Sequence, residues 1–397
     1  MRIALIADTF PPQRSSGAVQ LRDLSVEFIR QGHEVTVIVA SPQQIEPWHL
    51  EFFQGVQVLR LQTPRTKDVG YVRRTLAELL MPFSMQLKYN NSPLQSTRWD
   101  AVVWYSPSIF FGPLVRFLST GSECPTYLII RDIFPEWAAD MGLMGRGLPF
   151  WFFKTIAHYQ YSVADVIGVQ TPGNRMYFER WLSKGIGKLQ VLQNWLTDTA
   201  PGTCSIVVDQ TPLRGRKIFV YAGNMGVAQG MDHILAFVDA MQTRDDVGFL
   251  FVGRGSDRQR LRSEALRRQL QNVLFYDEID SDEIPGLYAQ CDVGIVALDV
   301  RHKTHNIPGK FVSYMQSGLP VLAVINPGND LEHMIASNQV GVVSTHPDTA
   351  ALVEKACELL QQLDDSGADT SLRCRALYQQ LFSPQSAVTQ IVKAMTS

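Results

Sequence analysis

The sequence predicts an α/β protein of two Rossmann-like domains facing each other across a cleft. Three observations carry this expectation. Short, continuously apolar runs alternate with segments of helical period along almost the whole chain, and a strand that is apolar without alternation is one buried on both faces of a parallel sheet. The alternation falls into two series, separated at 197–216 by a stretch rich in Thr, Pro, Gly and Asp that has no clear period. The composition, 45% hydrophobic and 19% charged over 397 residues, is globular, and the length suits two or three domains at roughly 150 residues each.

The first series opens with the apolar run 2–8. A loop at 11–17 follows, and Val19, Leu21, Leu24, Phe28 and Ile29 then recur at helical spacing up to Gly32, a natural helix stop. Further strands are expected at 35–40, 56–61, 101–105, 126–130, 166–170 and 189–192. The second series places strands at 217–222, 248–252, 273–276, 293–297, 321–324 and 341–344, with helices between them. The domains are therefore expected at 1–196, completed by a C-terminal helix at 384–397, and at 217–383, with 197–216 as the linker. Ligands of such sheets lie off the carboxyl ends of the strands.

Composition and spacing also exclude several classes. A net charge of −2, made of +4 over residues 1–195 and −6 over the rest, argues against nucleic acid as a partner. No run has the length of a membrane span or the pattern of a signal peptide. The five cysteines, Cys124, Cys204, Cys291, Cys357 and Cys374, are scattered and lack C-x-x-C spacing, which points to a reducing compartment rather than to disulfides or zinc. The histidines form no H-E-x-x-H pattern. A cytoplasmic protein without metal or cofactor is expected.

Several motifs carry chemistry. Gly223-Asn-Met-Gly226 follows a strand and precedes a helix, a setting in which loop amides and a helix N-terminus bind phosphate. The alternative is a turn that needs glycine for steric reasons. Lys310 enters a helix from the turn Pro308-Gly-Lys310, where a cation opposes the helix dipole unless an anion lies beside it. Arg131 and Asp132 stand at the carboxyl end of a strand, facing ligand space, with helix capping by Asp132 as the alternative. Asp280-Ser-Asp282 has the form of a metal-binding pair, but Asp280 with Glu283 fits a capping box.

In order and spacing, these motifs resemble one family over essentially the whole chain. Pro11-Pro12 with Ser16-Gly17, Gly32-His-Glu-Val-Thr-Val37, Tyr221-Ala-Gly-Asn-Met-Gly226, Val227-Ala-Gln-Gly230, Val252-Gly-Arg-Gly255, and Asn306-Ile-Pro-Gly-Lys310 followed by Tyr314 and Gly318-Leu-Pro320 are similar to the bacterial family 4 glycosyltransferases of GT-B fold. The resemblance is greatest to members that extend surface polysaccharides, such as fucosamine transferases. It implies a retaining enzyme that moves an N-acetylated sugar from a UDP-sugar to a lipid-linked glycan in O-antigen or capsule synthesis. Donor contacts would come from Ser16 and Gly17, from Gly223, Asn224, Met225 and Gln229, from Arg254, Glu278 and Ile279 (the last two near the base), and from Asn306, Ile307, Pro308 and Ser313. Catalytic roles fall to Asp132, His305 and Lys310, and acceptor contacts to Arg131 and Glu136.

Two departures stand out. Asn224 and Gln229 are neutral where the family often carries Arg and Lys, and His305 and Ser313 occupy the positions of its paired glutamates. A UDP-sugar 2-epimerase of the same fold and a non-catalytic partner subunit are the alternatives. Finally, Leu148-Pro-Phe-Trp-Phe-Phe153 with Lys154, and the stretch 71–89 with Arg73, Arg74 and Lys88 among large apolar residues, suit helices lying in a lipid headgroup layer. Trp151, Phe152, Phe153, Arg73 and Arg74 are expected to touch the inner face of the plasma membrane, with ordinary core-facing helices as the alternative.

Overall fold

The first series of apolar runs assembles into one sheet of β1 (Arg2–Ala7), β2 (Glu34–Ser41), β3 (Trp48–Phe53), β4 (Val56–Gln62), β5 (Ala101–Tyr105), β6 (Thr126–Ile129), β7 (Val166–Val169) and β8 (Lys188–Val191). The protein is seen here in a computed structural model that describes residues 1–13, 15–66, 69–140, 142–178, 188–226, 229–298, 307–346 and 348–396. The sheet order is β3-β4-β2-β1-β5-β6-β7-β8, parallel throughout except for β3 against β4. The strands read as continuous apolar runs because both faces are covered. In β1, Ala4 and Ile6 enter one core while Ile3, Leu5 and Ala7 enter the other.

Strand β3 has no counterpart in the sequence expectation. It is a half-exposed edge strand, so it lacks a continuous apolar run. A hairpin holds it to β4, and its turn residues Gln54 and Gly55 both have positive φ, 51° and 82°, as two-residue hairpins prefer.

The chain divides into two compact units, Met1–Trp195 with Pro384–Ser397, and Leu196–Ser383. The helix Pro384–Thr396 packs on the helix Ser16–Arg30 and buries Val388 and Ile391 in the core that also holds Leu5. In the second unit, β9 (Lys217–Ala222), β10 (Val247–Val252), β11 (Val273–Tyr276), β12 (Val293–Ala297), β13 (Val321–Val324) and β14 (Gly341–Ser344) form an all-parallel sheet ordered β11-β10-β9-β12-β13-β14. This is the doubly wound order, which reverses between β9 and β12.

Those two strands pair only at Val293 with Phe219 and Gly294 with Val220. Tyr314 wedges in beside them. A Cβ on Gly294 would lie 2.5 Å from its ring. Its hydroxyl donates to the Val220 carbonyl at 3.1 Å, with the Ile295 carbonyl as a second acceptor at 3.3 Å. Residues 197–216, expected as a linker, pack onto this unit through Ile206, Val208 and Leu213, all buried in its core. The segment turns only isolated side chains inward, so no period announces it. Among the described residues no helix is long and apolar enough to cross a membrane.

Candidate functional site

The carboxyl edge of the second sheet is built by two glycine loops. Beyond the ends of β9 and β10 the chain continues to pair. The Gly223 N–H donates to the Val252 carbonyl at 2.8 Å, the Met225 N–H to the Arg254 carbonyl at 2.7 Å, and the Asp257 N–H to the Met225 carbonyl at 3.0 Å. Gly253 and Gly255 have φ of 145° and 139°, and a Cβ on either would run into the backbone of Gly223 or Met225. Close approach of two loops thus explains the Val252-Gly-Arg-Gly255 glycines.

The same pairing corrects the expected anion cradle. The amides of Gly223 and Met225 are occupied, and the Gly226 N–H donates to the Gln229 side chain at 3.0 Å. Met225 is wholly buried in the core, so its side chain is not a donor contact. Asn224 donates to Gln229 at 3.2 Å, so these two neutral residues first hold the loop together.

Positive charge comes from Lys310. Its side chain passes directly over Gly223, where a Cβ would lie 2.7 Å from Cε and 2.9 Å from Nζ. Glycine is needed at 223 for this passage as well as for its φ of 137°. The ammonium sits 4.8 Å above the ring of Tyr221, whose hydroxyl donates to the Asn224 carbonyl at 2.6 Å. Burial pushes Lys310 down to about 8. Pro308 caps its helix without a side-chain hydrogen bond, and the Phe311 N–H turns back to the Pro308 carbonyl at 3.0 Å, so the amides of Gly309 and Lys310 are the ones at the helix start suited to phosphate.

The other expected donor residues divide. Ile307 is buried in the core and can act only through its backbone. Ser313, one turn after Lys310, donates to the Gly309 carbonyl at 3.2 Å, which leaves its oxygen lone pairs for a ligand. Arg254 and Glu278 are exposed and pair with each other at 3.3 Å, and Ile279 packs on the core. His305 and Asn306 lie outside the described residues. The capping box is corrected: the Asp280 side chain caps nothing, and the Glu283 carboxylate instead accepts from the Ser205 N–H at 2.5 Å.

At the carboxyl edge of the first sheet, Arg131 is corrected as an acceptor ligand. Its guanidinium is buried, donates to the carbonyls of Leu192 at 2.9 Å and Gln193 at 3.3 Å, and lies 4.6 Å over the ring of Trp195. It reaches past β7 to anchor the chain leaving β8. The Glu136 carboxylate pairs with Lys154 at 3.0 Å.

Asp132 keeps its candidacy. Its residue surface is exposed beyond the end of β6, while partial desolvation of its carboxylate by neighbouring chain raises its pKa and Arg131 partly opposes the shift. Tyr105, which sequence reasoning missed, joins it. The Tyr105 hydroxyl donates to Gln20 at 2.8 Å, its pKa is raised by burial, and it feels Arg131, Asp132 and Asp8. Only its place as the last residue of a central strand hinted at this. Gly17 lies against Tyr105, a Cβ there being 3.5 Å from the ring. Ser15 caps the helix after β1, and Ser16, expected as a donor contact, is the first residue of that helix.

The aromatic run splits between two roles. Trp151 and Phe152 are exposed, whereas Phe153 packs on the core, 5.2 Å from Phe134, and is corrected as a membrane contact. The helix Tyr71–Tyr89 buries Ala77, Met81 and Met85 and leaves a second apolar stripe of Leu76, Leu80, Phe83 and Leu87 exposed by 53–67%. Arg73 is exposed, Arg74 pairs with Glu78 at 2.9 Å, and Lys88 turns inward to the Gln62 carbonyl at 2.6 Å.

A family model described as glycosyl transferases group 1 matches residues 216–362, the part of the chain that holds the paired glycine loops and Lys310. The match lies within the second unit and spans its sheet from β9 to β14. Two relatives extend the similarity beyond it. WbjE of Pseudomonas aeruginosa, named as a glycosyltransferase, is 23% identical over 310 residues, 75% of each chain. WcaI of Escherichia coli K12, named as a colanic acid biosynthesis glycosyl transferase, is 23% identical over 376 residues, 89% of this chain and 88% of its own. The structure of Anabaena HepE in complex with UDP superposes with a TM-score of 0.67 at 15% identity, covering 100% of both chains. At that identity the likeness shows the fold, which is GT-B. With its group 1 match and these relatives, the chain is a glycosyltransferase.

Proposed function

We propose that this glycosyltransferase acts in bacterial surface polysaccharide synthesis, O-antigen or capsule. It transfers an N-acetylated sugar from a UDP-sugar to a lipid-linked glycan at the inner face of the plasma membrane, with retention of configuration and without a metal ion. The observation that carries the reading is Lys310, a desolvated ammonium lying over Gly223 at the point where the second sheet reverses its order. Cleavage of a nucleotide-sugar builds negative charge on the departing diphosphate, and a fixed cation with the Gly309 and Lys310 amides of its helix start stabilises that charge most where water is excluded.

The reading draws support from the names of WcaI and HepE, one tied to a surface polysaccharide and the other bound to UDP. Asp132 and Tyr105 are the groups suited to meet an acceptor hydroxyl. The exposed stripe of the helix Tyr71–Tyr89, which also carries the exposed Arg73, and the exposed Trp151 and Phe152 support a peripheral membrane position, because exposed apolar side chains in company with basic ones suit a headgroup layer.

Incubation with UDP-sugars and no acceptor tests the activity. Slow sugar release with UDP formation is expected, and NMR of the product of acceptor reactions should show the donor's anomeric configuration. A changed sugar still attached to UDP would make the protein an epimerase, and inertness toward every donor would make it a partner subunit.

A further inference from the structure

The first unit holds a second candidate site at the opposite edge of its sheet from Asp132 and Tyr105. A cavity of about 540 Å³ opens at the amino ends of β1, β2 and β4, closed on one side by the segment that leads into β5. Its volume falls within the range of small-molecule sites. No residue of the donor or acceptor sites described above lines it.

Its floor is rigid. Trp99 is buried and its indole N–H donates to the Tyr89 hydroxyl at 3.1 Å. The Thr36 hydroxyl donates to the Gln57 carboxamide oxygen at 2.7 Å, which fixes the amide plane and leaves the Gln57 NH₂ group for a ligand. Across from this floor stands Phe52, an aromatic ring 73% exposed on the edge strand. Among the lining residues Arg2 pairs with Glu34 at 3.1 Å, and burial, with the Met1 ammonium 3.3 Å from its Nδ1, holds His33 below its ordinary pKa, favouring the neutral ring.

We infer that this cavity binds an uncharged saccharide. Three features of the lining select that class. The two charged side chains of the lining, Arg2 and Glu34, are paired with each other, which leaves neither as a lone partner for an ionic ligand. The carboxylate of Glu34, the guanidinium of Arg2 and the amide of Gln57 are planar groups with paired donors or acceptors, which match neighbouring hydroxyls of a pyranose. The ring of Phe52 offers a flat apolar face to the C–H side of the sugar. The site rests on its lining alone. Its meaning, a grip on the glycan being extended that is separate from the catalytic groups, rests on the function proposed above.

Saturation-transfer NMR on the full chain tests it, with maltopentaose and cellopentaose as uncharged probes and a galacturonic acid pentamer as the charged one. An uncharged probe should bind, and Phe52→Ala or Gln57→Ala should weaken it roughly three- to tenfold, with melting temperatures confirming that both variants fold. Lys310→Ala should leave saccharide binding unchanged while weakening UDP, measured on the same samples. Absence of signal from both uncharged probes, undiminished signal in both cavity variants, or preference for the charged pentamer would overturn the inference. Failure of UDP to bind would instead sink the donor reading and leave this site standing.

Discussion

Replacing Lys310 by alanine removes an ammonium whose pKa in the free protein is shifted by burial and which lies over the Tyr221 ring. The fold lowers its pKa from 10.5 to about 8, so it disfavours the charged form by about 3 kcal/mol. Between those two values the unfolded chain binds more protons than the folded one, and stability therefore rises with pH across that window. Lys310→Ala removes this penalty together with the contact to the Tyr221 ring, worth about 0.5–2 kcal/mol, so stability at neutral pH should change little and the rise should be abolished. Ligand binding should move the other way. A diphosphate beside the ammonium gains a charge-assisted hydrogen bond of about 1.5–3 kcal/mol, so the variant should bind UDP roughly tenfold to a hundredfold more weakly, with UMP much less affected. The bound anion also favours the protonated form, so the wild type should take up a proton on binding UDP above about pH 8, with affinity falling as pH rises further. Calorimetry in buffers of different ionisation enthalpy measures both effects. Unchanged UDP affinity in the variant, or no proton uptake by the wild type, would refute the assignment.

Gly255→Ala should lower stability by about 1–3 kcal/mol or more, because alanine meets the Met225 backbone at a φ of 139°, and thermal unfolding would register it. Replacing Leu76, Leu80 and Phe83 by serine should reduce sedimentation with anionic liposomes without changing the melting temperature or UDP affinity, since these side chains are exposed. Phe153→Ser should instead melt early, losing about 3 kcal/mol of core packing. Activity should persist in excess chelator. Its loss, with recovery on adding magnesium or manganese, would reverse the metal-free reading.

The sequence by itself determined the two sheets, since a parallel strand buried on both faces must be apolar at every position, and runs such as 217–222 and 293–297 carry that requirement without reference to anything distant. It also marked Gly223 and Lys310, because a left-handed turn and a cation at a helix start are local anomalies. Tertiary structure alone decided how such residues are used. Periodicity records whether a position is covered and says nothing of which backbone comes alongside. The meeting of the two glycine loops, which occupies the Gly223 and Met225 amides, was therefore invisible, as was the burial of Arg131 against carbonyls about sixty residues away. Neighbouring rings in one helix read alike until packing turns Phe153 inward and Trp151 outward, and a helix apolar on two faces does not say which face the sheet will take. Edge strand β3 and the amino-edge cavity likewise exist only once β4 supplies a partner and the segment before β5 supplies a wall.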